Sequence, residues 1–243
     1  MHSEVSIIIP TLNESSCLQR TLDNLTLLNP APQEILLVDG GSEDNTVEIA
    51  QQAGIPVLSS QPGRSLQMNV GAQAAKGEFL CFVHADTIVP PNLTTIITKT
   101  LSDRTIAGGG FISIMSGADK TRWGVSLHNY LKTYYGAIIF RPHLFLKGLR
   151  ILFGDQVMFC RRQDFEDCGG FDPQLPIMED AELCMRLVQY GRIYLVDRIV
   201  QSSDRRVAKW GSLKANLIYL YIGCLWAVGV SPTYLKQFYE DIR

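Results

Sequence analysis

Runs of hydrophobic residues alternate with amphipathic segments through the first half of the chain. Continuous apolar runs predict strands at 5–9, 34–39, 55–60, 78–86 and 106–114. Between them, apolar residues recur at helical spacing and predict helices at 17–28, 46–54, 65–77 and 93–101. Because the strands are apolar on both sides and alternate with helices, the pattern predicts an α/β fold. We expect a mostly parallel, twisted sheet with helices on both faces.

The second half of the chain has a less regular pattern. Residues 115–155 are rich in aromatic and aliphatic side chains, with Arg, Lys and His among them. Segment 157–171 predicts a strand followed by a helix, 179–191 an amphipathic helix and 193–196 another strand. An apolar helix is then expected at 215–230. No internal repeat or low-complexity linker divides the sequence.

The composition indicates a protein with a substantial core. Of its 243 residues, 46% are hydrophobic and 19% are charged, which excludes general disorder. The 22 basic and 24 acidic residues give a formal net charge of −2, so no overall positive field favours nucleic acid as a partner. The six cysteines form no C-x-x-C pair and most lie in apolar runs, which is typical of reduced core residues. The first strand-like run is too short and too early for a signal peptide, so we expect a cytoplasmic protein.

The apolar helix at 215–230 raises the question of a membrane. Its 16 residues are fewer than the roughly 20 that span a bilayer, so a buried or interfacial helix is expected. The stretch 135–153 is also strongly apolar. Two interpretations of these segments stay open. One is a hydrophobic core with the surface of a homodimer, and the other is peripheral contact with the inner face of the cell membrane.

Polar residues follow several predicted strands at the point where each strand ends. The first strand leads into PTLNE, the second into DGGSEDNT and the fourth into HAD. Because ligands of open parallel sheets bind beyond the carboxyl ends of the strands, these residues predict a site at one edge. At Asp39 and Gly40, glycine would let a ligand approach the backbone beside a helix N-terminus that attracts anions. A tight turn is the alternative there, and the lack of G-x-G-x-x-G argues against a dinucleotide site.

Four longer motifs occur in one order along the chain: SIIIPTLNE, ILLVDGGSEDNT, GRSLQMNVGAQAAKGEFLCFVHAD and GGFDPQLPIMEDAELCMRL. In this order they resemble family 2 glycosyltransferases, and most of all the bacterial branch often labelled arsenosugar-biosynthesis-like. The resemblance covers nearly the full chain. It implies a single GT-A domain, 1–243, with a nucleotide-binding half at 1–112. An acceptor and catalytic half would follow at 113–207, and C-terminal apolar helices at 208–243.

The resemblance implies that a nucleotide sugar donor binds at the strand ends. Pro10, Thr11 and Glu14 would line the nucleoside pocket. Asp39, with Gly40 beside it, would accept a hydrogen bond from the base, usually uracil. The other residues implied to contact the donor are Arg64, Asp86, Asp155, Arg205 and Arg206. The alternative for these arginines is a surface position at a helix start or in a basic loop.

The HAD motif stands where many relatives carry D-x-D. Carboxylate oxygens suit hard divalent cations, and such a cation stabilises the charge on a departing diphosphate. Asp86 keeps the last acid of the motif and His84 replaces the first. The expected cofactor is therefore a divalent cation, Mn²⁺ or Mg²⁺, held by Asp86 and His84, and the imidazole favours manganese. The alternative for His84 is a ring satisfied by backbone at the strand end.

Two acids, Glu179 and Asp180, open a predicted helix in the segment IMEDAEL. Acids at a helix start stabilise the helix dipole, which is a complete structural explanation. The resemblance implies instead that Asp180 is a general base. It would take the proton of the acceptor hydroxyl as that oxygen attacks the anomeric carbon opposite the departing diphosphate, inverting its configuration. Glu179 would position the loop or contact the acceptor.

Taken together, these features predict an enzyme, an inverting, metal-dependent glycosyltransferase of the hexosyltransferase type that uses a nucleotide diphosphate sugar, with UDP expected. The pattern does not identify the acceptor, and a lipid-linked acceptor accompanies the membrane interpretation. A nucleotidyltransferase is disfavoured because PTLNES follows the first strand, where such enzymes place a Gly-rich triphosphate loop. A non-catalytic nucleotide-sugar-binding protein stays open because of His84.

Overall fold

The computed structural model describes residues 3–117 and 120–239. Within these residues, the strands form one eight-stranded sheet with the order β3-β2-β1-β4-β7-β6-β8-β5. The strands are β1 Val5–Thr11, β2 Glu34–Asp39, β3 Val57–Ser59, β4 Phe79–Phe82, β5 Thr87–Ile88, β6 Ile106–Ser116, β7 Phe159–Arg161 and β8 Arg192–Ser203. Pairing of β1 with β2 and β4, β2 with β3, and β6 with β8 is parallel, whereas β7 and β5 are antiparallel to their neighbours. The sheet is therefore mostly parallel, as the sequence predicts.

The helices alternate with strands in the first half and cluster near the end of the chain. Their bounds are α1 Ser15–Thr26, α2 Thr46–Gln52, α3 Arg64–Ala74, α4 Leu93–Leu101, α5 Trp123–Phe140, α6 Pro142–Leu146, α7 Arg162–Asp167, α8 Glu179–Leu187, α9 Arg205–Trp210, α10 Ser212–Ala227 and α11 Pro232–Leu235. Short 3₁₀ turns lie at Gly154–Gln156 and Lys236–Phe238.

Hydrophobic cores lie on both faces of the sheet because successive side chains of a strand point to opposite sides. On one face, Ile7 and Ile9 of β1 belong to a buried cluster that includes α1 and α4. On the other face, Ile8 belongs to a second cluster that includes Met68 of α3 and Leu183 of α8. This arrangement confirms the predicted helices on both faces.

Helix α5 packs against β6, and the C-terminal helix α10 packs against α5. Helices α5 and α10 pack side by side, and His128 Nδ1 lies 2.9 Å from Asn216 Oδ1 between them. The predicted apolar helix at 215–230 is α10, which begins and ends three residues earlier. In the part of the chain that the structure describes, no helix has both the length and the apolarity needed to cross a bilayer.

All six cysteines have free thiols. Cys81, Cys160 and Cys184 are buried, and the other three are partly exposed. Three of the six cysteines therefore occupy the core positions that the apolar runs predict.

Candidate active site

A cavity of about 630 Å³ lies beyond the carboxyl ends of β1 and β4. Because these strands are parallel neighbours, the segments that follow them reach the same edge of the sheet. The cavity is lined by eleven of the thirteen residues that the sequence singles out: Pro10, Thr11, Glu14, Arg64, His84, Asp86, Asp155, Glu179, Asp180, Arg205 and Arg206. The topology thus gathers residues that are far apart in the sequence.

Asp39 and Gly40 do not line this cavity. The Asp39 carboxylate accepts hydrogen bonds from the backbone N–H groups of Gly41 and Ser42, each 2.9 Å long. A Cβ at Gly40 would lie 3.2 Å from the Gln67 amide, so glycine at this position makes room for a neighbouring side chain. In this structure the two residues form a tight turn, and their contact with a nucleotide base stays a prediction.

Asp180 is buried in the first turn of α8, next to the buried Glu179. Arg64 Nη1 lies 3.1 Å from Glu179 Oε1 and forms an ion pair with it. Burial, followed by the charge of Glu179, raises the pKa of Asp180 to about 8, against the opposing charge of Arg64. A carboxyl group with this pKa exchanges its proton near neutral pH, which suits a general base.

Gly154 brings the predicted metal site and the predicted base together. A Cβ at this position would lie 2.4 Å from His84 Nε2 and 3.1 Å from Asp180 Oδ2. The backbone of Gly154 also donates a hydrogen bond to Asp180. Any larger side chain at this position would displace the imidazole ring. Glycine therefore lets His84 and Asp180 approach the same point.

Arg205 joins the two acids at the strand ends. Its Nη2 lies 2.8 Å from Glu14 Oε2 and 2.9 Å from Asp86 Oδ2. The other terminal nitrogen, Nη1, is buried and makes no hydrogen bond within residues 3–117 and 120–239. A buried donor without a partner costs free energy, so this nitrogen favours an acceptor such as a phosphate oxygen.

His84 is suited to a metal site because its ring is neutral. Burial and then the charge of Arg64 lower the pKa of His84 to about 3, which leaves a nitrogen lone pair free at neutral pH. Among the described residues, no group of three or more His, Cys, Asp or Glu side chains could hold a metal alone. His84 and Asp86 would therefore hold a divalent cation only together with phosphate oxygens and water.

Lys132 lines the cavity as well, although the sequence did not predict it. It lies on α5, with its Nζ 3.6 Å from the centroid of the Phe153 ring. Burial lowers the pKa of Lys132 to about 8, while the charge of Asp155 opposes this shift. The signal in the sequence was a cation within an apolar stretch, but no motif pointed to it.

Tyr239 is a second residue of the cavity that the sequence did not predict. Its hydroxyl accepts a hydrogen bond of 2.5 Å from Arg206 Nη1, and the Arg206 guanidinium also lies 4.0 Å from the Tyr239 ring centroid. Tyr239 therefore helps to hold the Arg206 guanidinium in position in the cavity.

Apolar side chains make up a further part of the cavity lining, which we call its apolar side. This side is formed mainly by α5, α10 and the segment around 151–153, and includes Tyr135, Phe140, Ile151, Phe153, Ile222 and Trp226. The lining therefore offers charged groups for a polyanion and apolar groups for a less polar partner.

The sequence matches the family model "Glycosyl transferase family 2" over residues 6–169. A pre-mycofactocin glycosyltransferase of Mycobacterium tuberculosis is 24% identical over 197 residues, which cover 78% of this chain and 40% of that protein. The chain spans between 30% and 40% of the length of the curated relatives that it matches.

Two solved structures have a similar fold. A mannosyltransferase from Pyrobaculum calidifontis, in complex with GDP-mannose and Mn²⁺, has a TM-score of 0.68 and 17% identity, and the match covers 98% of this chain and 68% of that one. Glucosyl-3-phosphoglycerate synthase from Mycobacterium tuberculosis, with Mn²⁺, UDP and phosphoglyceric acid, has a TM-score of 0.66 and 19% identity, covering 94% and 79%. The predicted fold class is confirmed by these similarities.

Proposed function

Because the chain belongs to glycosyl transferase family 2, we propose that it transfers a sugar from a nucleotide diphosphate sugar to an acceptor hydroxyl, with inversion at the anomeric carbon. The observation that carries this proposal is that Asp86 and Asp180 line one cavity. The motif order supports the arsenosugar-biosynthesis-like branch. The sheet, which draws strands from both halves of the chain, supports one functional unit over 1–243.

The charged side of the cavity would bind the donor. His84 and Asp86 would hold a divalent cation together with the diphosphate, and the cation would stabilise the charge on the leaving group. Arg205 would donate its unpartnered Nη1 to a phosphate oxygen, with Arg206 beside it. The two similar structures, one with GDP-mannose and one with UDP, both contain Mn²⁺, which supports a cation. UDP is our proposed nucleotide, and GDP is the comparison to test.

Asp180 would activate the acceptor. The acceptor oxygen attacks the anomeric carbon while its proton passes to the Asp180 carboxylate, and the bond from that carbon to the diphosphate oxygen breaks on the opposite face. One bond forms as one breaks, so the product has inverted configuration. Burial of Asp180 would limit the access of water, which would otherwise compete with the acceptor as the nucleophile.

The apolar side of the cavity supports an acceptor with an apolar part, and we propose a lipid-linked alcohol. Lys132 Nζ lies 3.6 Å from the centroid of the Phe153 ring and is influenced by the charge of Asp155, so it could pair with an anionic group next to an apolar one. A phosphate between a lipid and a sugar has this chemistry.

A thermal-shift measurement tests donor binding. With Mn²⁺ present, a UDP-sugar at a hundredfold excess over its Kd is expected to raise the Tm by about 5–10 °C, since binding at that level stabilises by about 2.7 kcal/mol. The same measurement is made with the GDP-sugar, and with each donor in the absence of metal. If no nucleotide sugar raises the Tm, the proposal is contradicted. If only nucleoside triphosphates raise the Tm, a nucleotidyltransferase is favoured.

The pKa of Asp180 near 8 predicts a pH-dependent rate. Because the base must be ionised, kcat/KM for the donor should rise about tenfold between about pH 7 and pH 9. Glu179→Gln removes a charge that raises this pKa and should move the midpoint to lower pH. Arg64→Met removes a charge that lowers it and should move the midpoint to higher pH. Identical profiles in all three proteins would show that Asp180 is not the titrating group.

A further inference from the structure

Helix α5 exposes an apolar stripe that its neighbours do not cover. Trp123, Leu127, Leu131 and Ile138 recur at intervals of four, four and seven residues, so they lie along one side of the helix. Trp123 is 68% exposed and Leu127 is 58% exposed. Side chains at this spacing in a surface helix normally face the core, so their exposure indicates a binding surface.

Helix α10, which packs against α5, exposes a second apolar stripe. Leu213 is 75% exposed and Leu217 is 58% exposed, with Leu220 and Tyr221 one turn further along. Beyond the end of α5, Leu146 at the end of α6 is 86% exposed. We call the surface formed by Trp123, Leu127, Leu131, Ile138, Leu146, Leu213, Leu217, Leu220 and Tyr221 the α5–α10 face.

The segments that carry the α5–α10 face contain no acidic residue. Residues 120–154 and 205–239 hold 11 of the 22 Lys and Arg residues of the chain and none of its 24 Asp and Glu residues. Lys147 directly follows Leu146, and Lys214 lies between Leu213 and Leu217, and both lysines are exposed. Arg205 and Arg206 line the cavity, so the exposed lysines beside the exposed leucines, rather than the whole count, give this face its positive charge.

We propose that the α5–α10 face binds the surface of an anionic membrane. Exposed leucine and tryptophan side chains enter the boundary between headgroups and acyl chains, while neighbouring lysines pair with anionic headgroups. A second copy of the chain is a poorer partner. In a symmetric dimer the same face meets itself, which brings lysines together without any acid to pair with them.

Membrane binding through this face does not depend on the proposed function, although the two are compatible in geometry. Tyr135 and Phe140 of α5 and Trp226 of α10 line the apolar side of the cavity. A protein bound through the outer sides of these helices holds that side of the cavity near the lipid.

Vesicle co-sedimentation of the full chain tests the proposal. We expect binding to vesicles of phosphatidylcholine with phosphatidylglycerol, weak binding to phosphatidylcholine alone, and loss of binding at high salt. The double variant Lys147→Glu/Lys214→Glu should weaken binding by more than tenfold, since each lysine contributes about fivefold. Equal binding to both vesicle types, or none to either, overturns the proposal.

A second pair of variants separates apolar insertion from charge. Leu146→Glu/Leu217→Glu should abolish vesicle binding, whereas Leu27→Glu, which changes a 72% exposed leucine outside the α5–α10 face, should leave it unchanged. Neither Leu146 nor Leu217 lines the cavity, so thermal stabilisation by the nucleotide sugar should persist. A stable dimer in light scattering that Leu146→Glu/Leu217→Glu converts to a monomer would instead assign the face to self-association.

Discussion

Replacing Asp180 with Asn should lower the rate of sugar transfer by about 10²–10⁴-fold, the usual contribution of a general base. The amide cannot accept the acceptor's proton, but it has nearly the same shape as the carboxyl group. The Gly154 N–H can still donate to its oxygen, so the surroundings of the side chain should be preserved. Donor affinity, measured by thermal shift with Mn²⁺, should change little because Asp180 acts on the acceptor. Transfer rates and donor Kd therefore need to be measured on the same preparation.

Glu182→Gln is the matched control for this substitution. Glu182 lies on the same helix, α8, but pairs with Arg186 and does not line the cavity. Its loss removes a partly exposed ion pair and should leave transfer within about twofold of the parent, because such pairs contribute little to stability. If Asp180→Asn and Glu182→Gln have equal activity, Asp180 is not the base. If Asp180→Asn also loses donor binding, the carboxylate acts on the donor rather than on the acceptor.

The fold could be predicted largely from local pattern. Strand β2, Glu34–Asp39, and helix α4, Leu93–Leu101, have the bounds that the sequence predicts, because their apolar runs end at polar or turn-forming residues. The antiparallel strand β7 was predicted as a strand, but its place between β4 and β6 depends on tertiary pairing. Local sequence determines which segments form elements, whereas neighbours in the sheet are set by contacts distant along the chain.

The candidate site was predictable only where a motif marked it. Pro10 lies near the carboxyl end of β1 and Asp86 follows its parallel neighbour β4, so their convergence could be inferred from a parallel sheet, whereas Asp180 was marked by the resemblance. Lys132 and Tyr239 also line the cavity. The sequence pattern does not predict which side of their helix or turn faces it. A resemblance to a family also carries no information about which partner an arginine takes within one chain.

The ion pair between Asp86 and Arg205 gives the second large expected effect. Asp86→Asn should remove the dependence of donor binding on Mn²⁺ and lower kcat/KM by about 10²–10³-fold, because a neutral amide oxygen is a weak ligand for a hard cation. Arg205 keeps its contact with Glu14, 2.8 Å away, so the arginine should stay in place. The measurement is a Mn²⁺ titration of donor-induced thermal stabilisation, together with initial rates at each metal concentration.

Glu14→Gln distinguishes the loss of a cation ligand from the loss of an ion pair. This variant removes the other carboxylate that contacts Arg205 but leaves Asp86 intact, so the Mn²⁺ titration should keep the midpoint of the parent. Donor affinity itself can fall in this variant, because Glu14 lines the cavity. The two substitutions break similar contacts to one guanidinium, so only a role in metal binding predicts different Mn²⁺ midpoints. Equal shifts in both variants would mean that Asp86 serves to hold Arg205, and the cation site would then have to lie elsewhere.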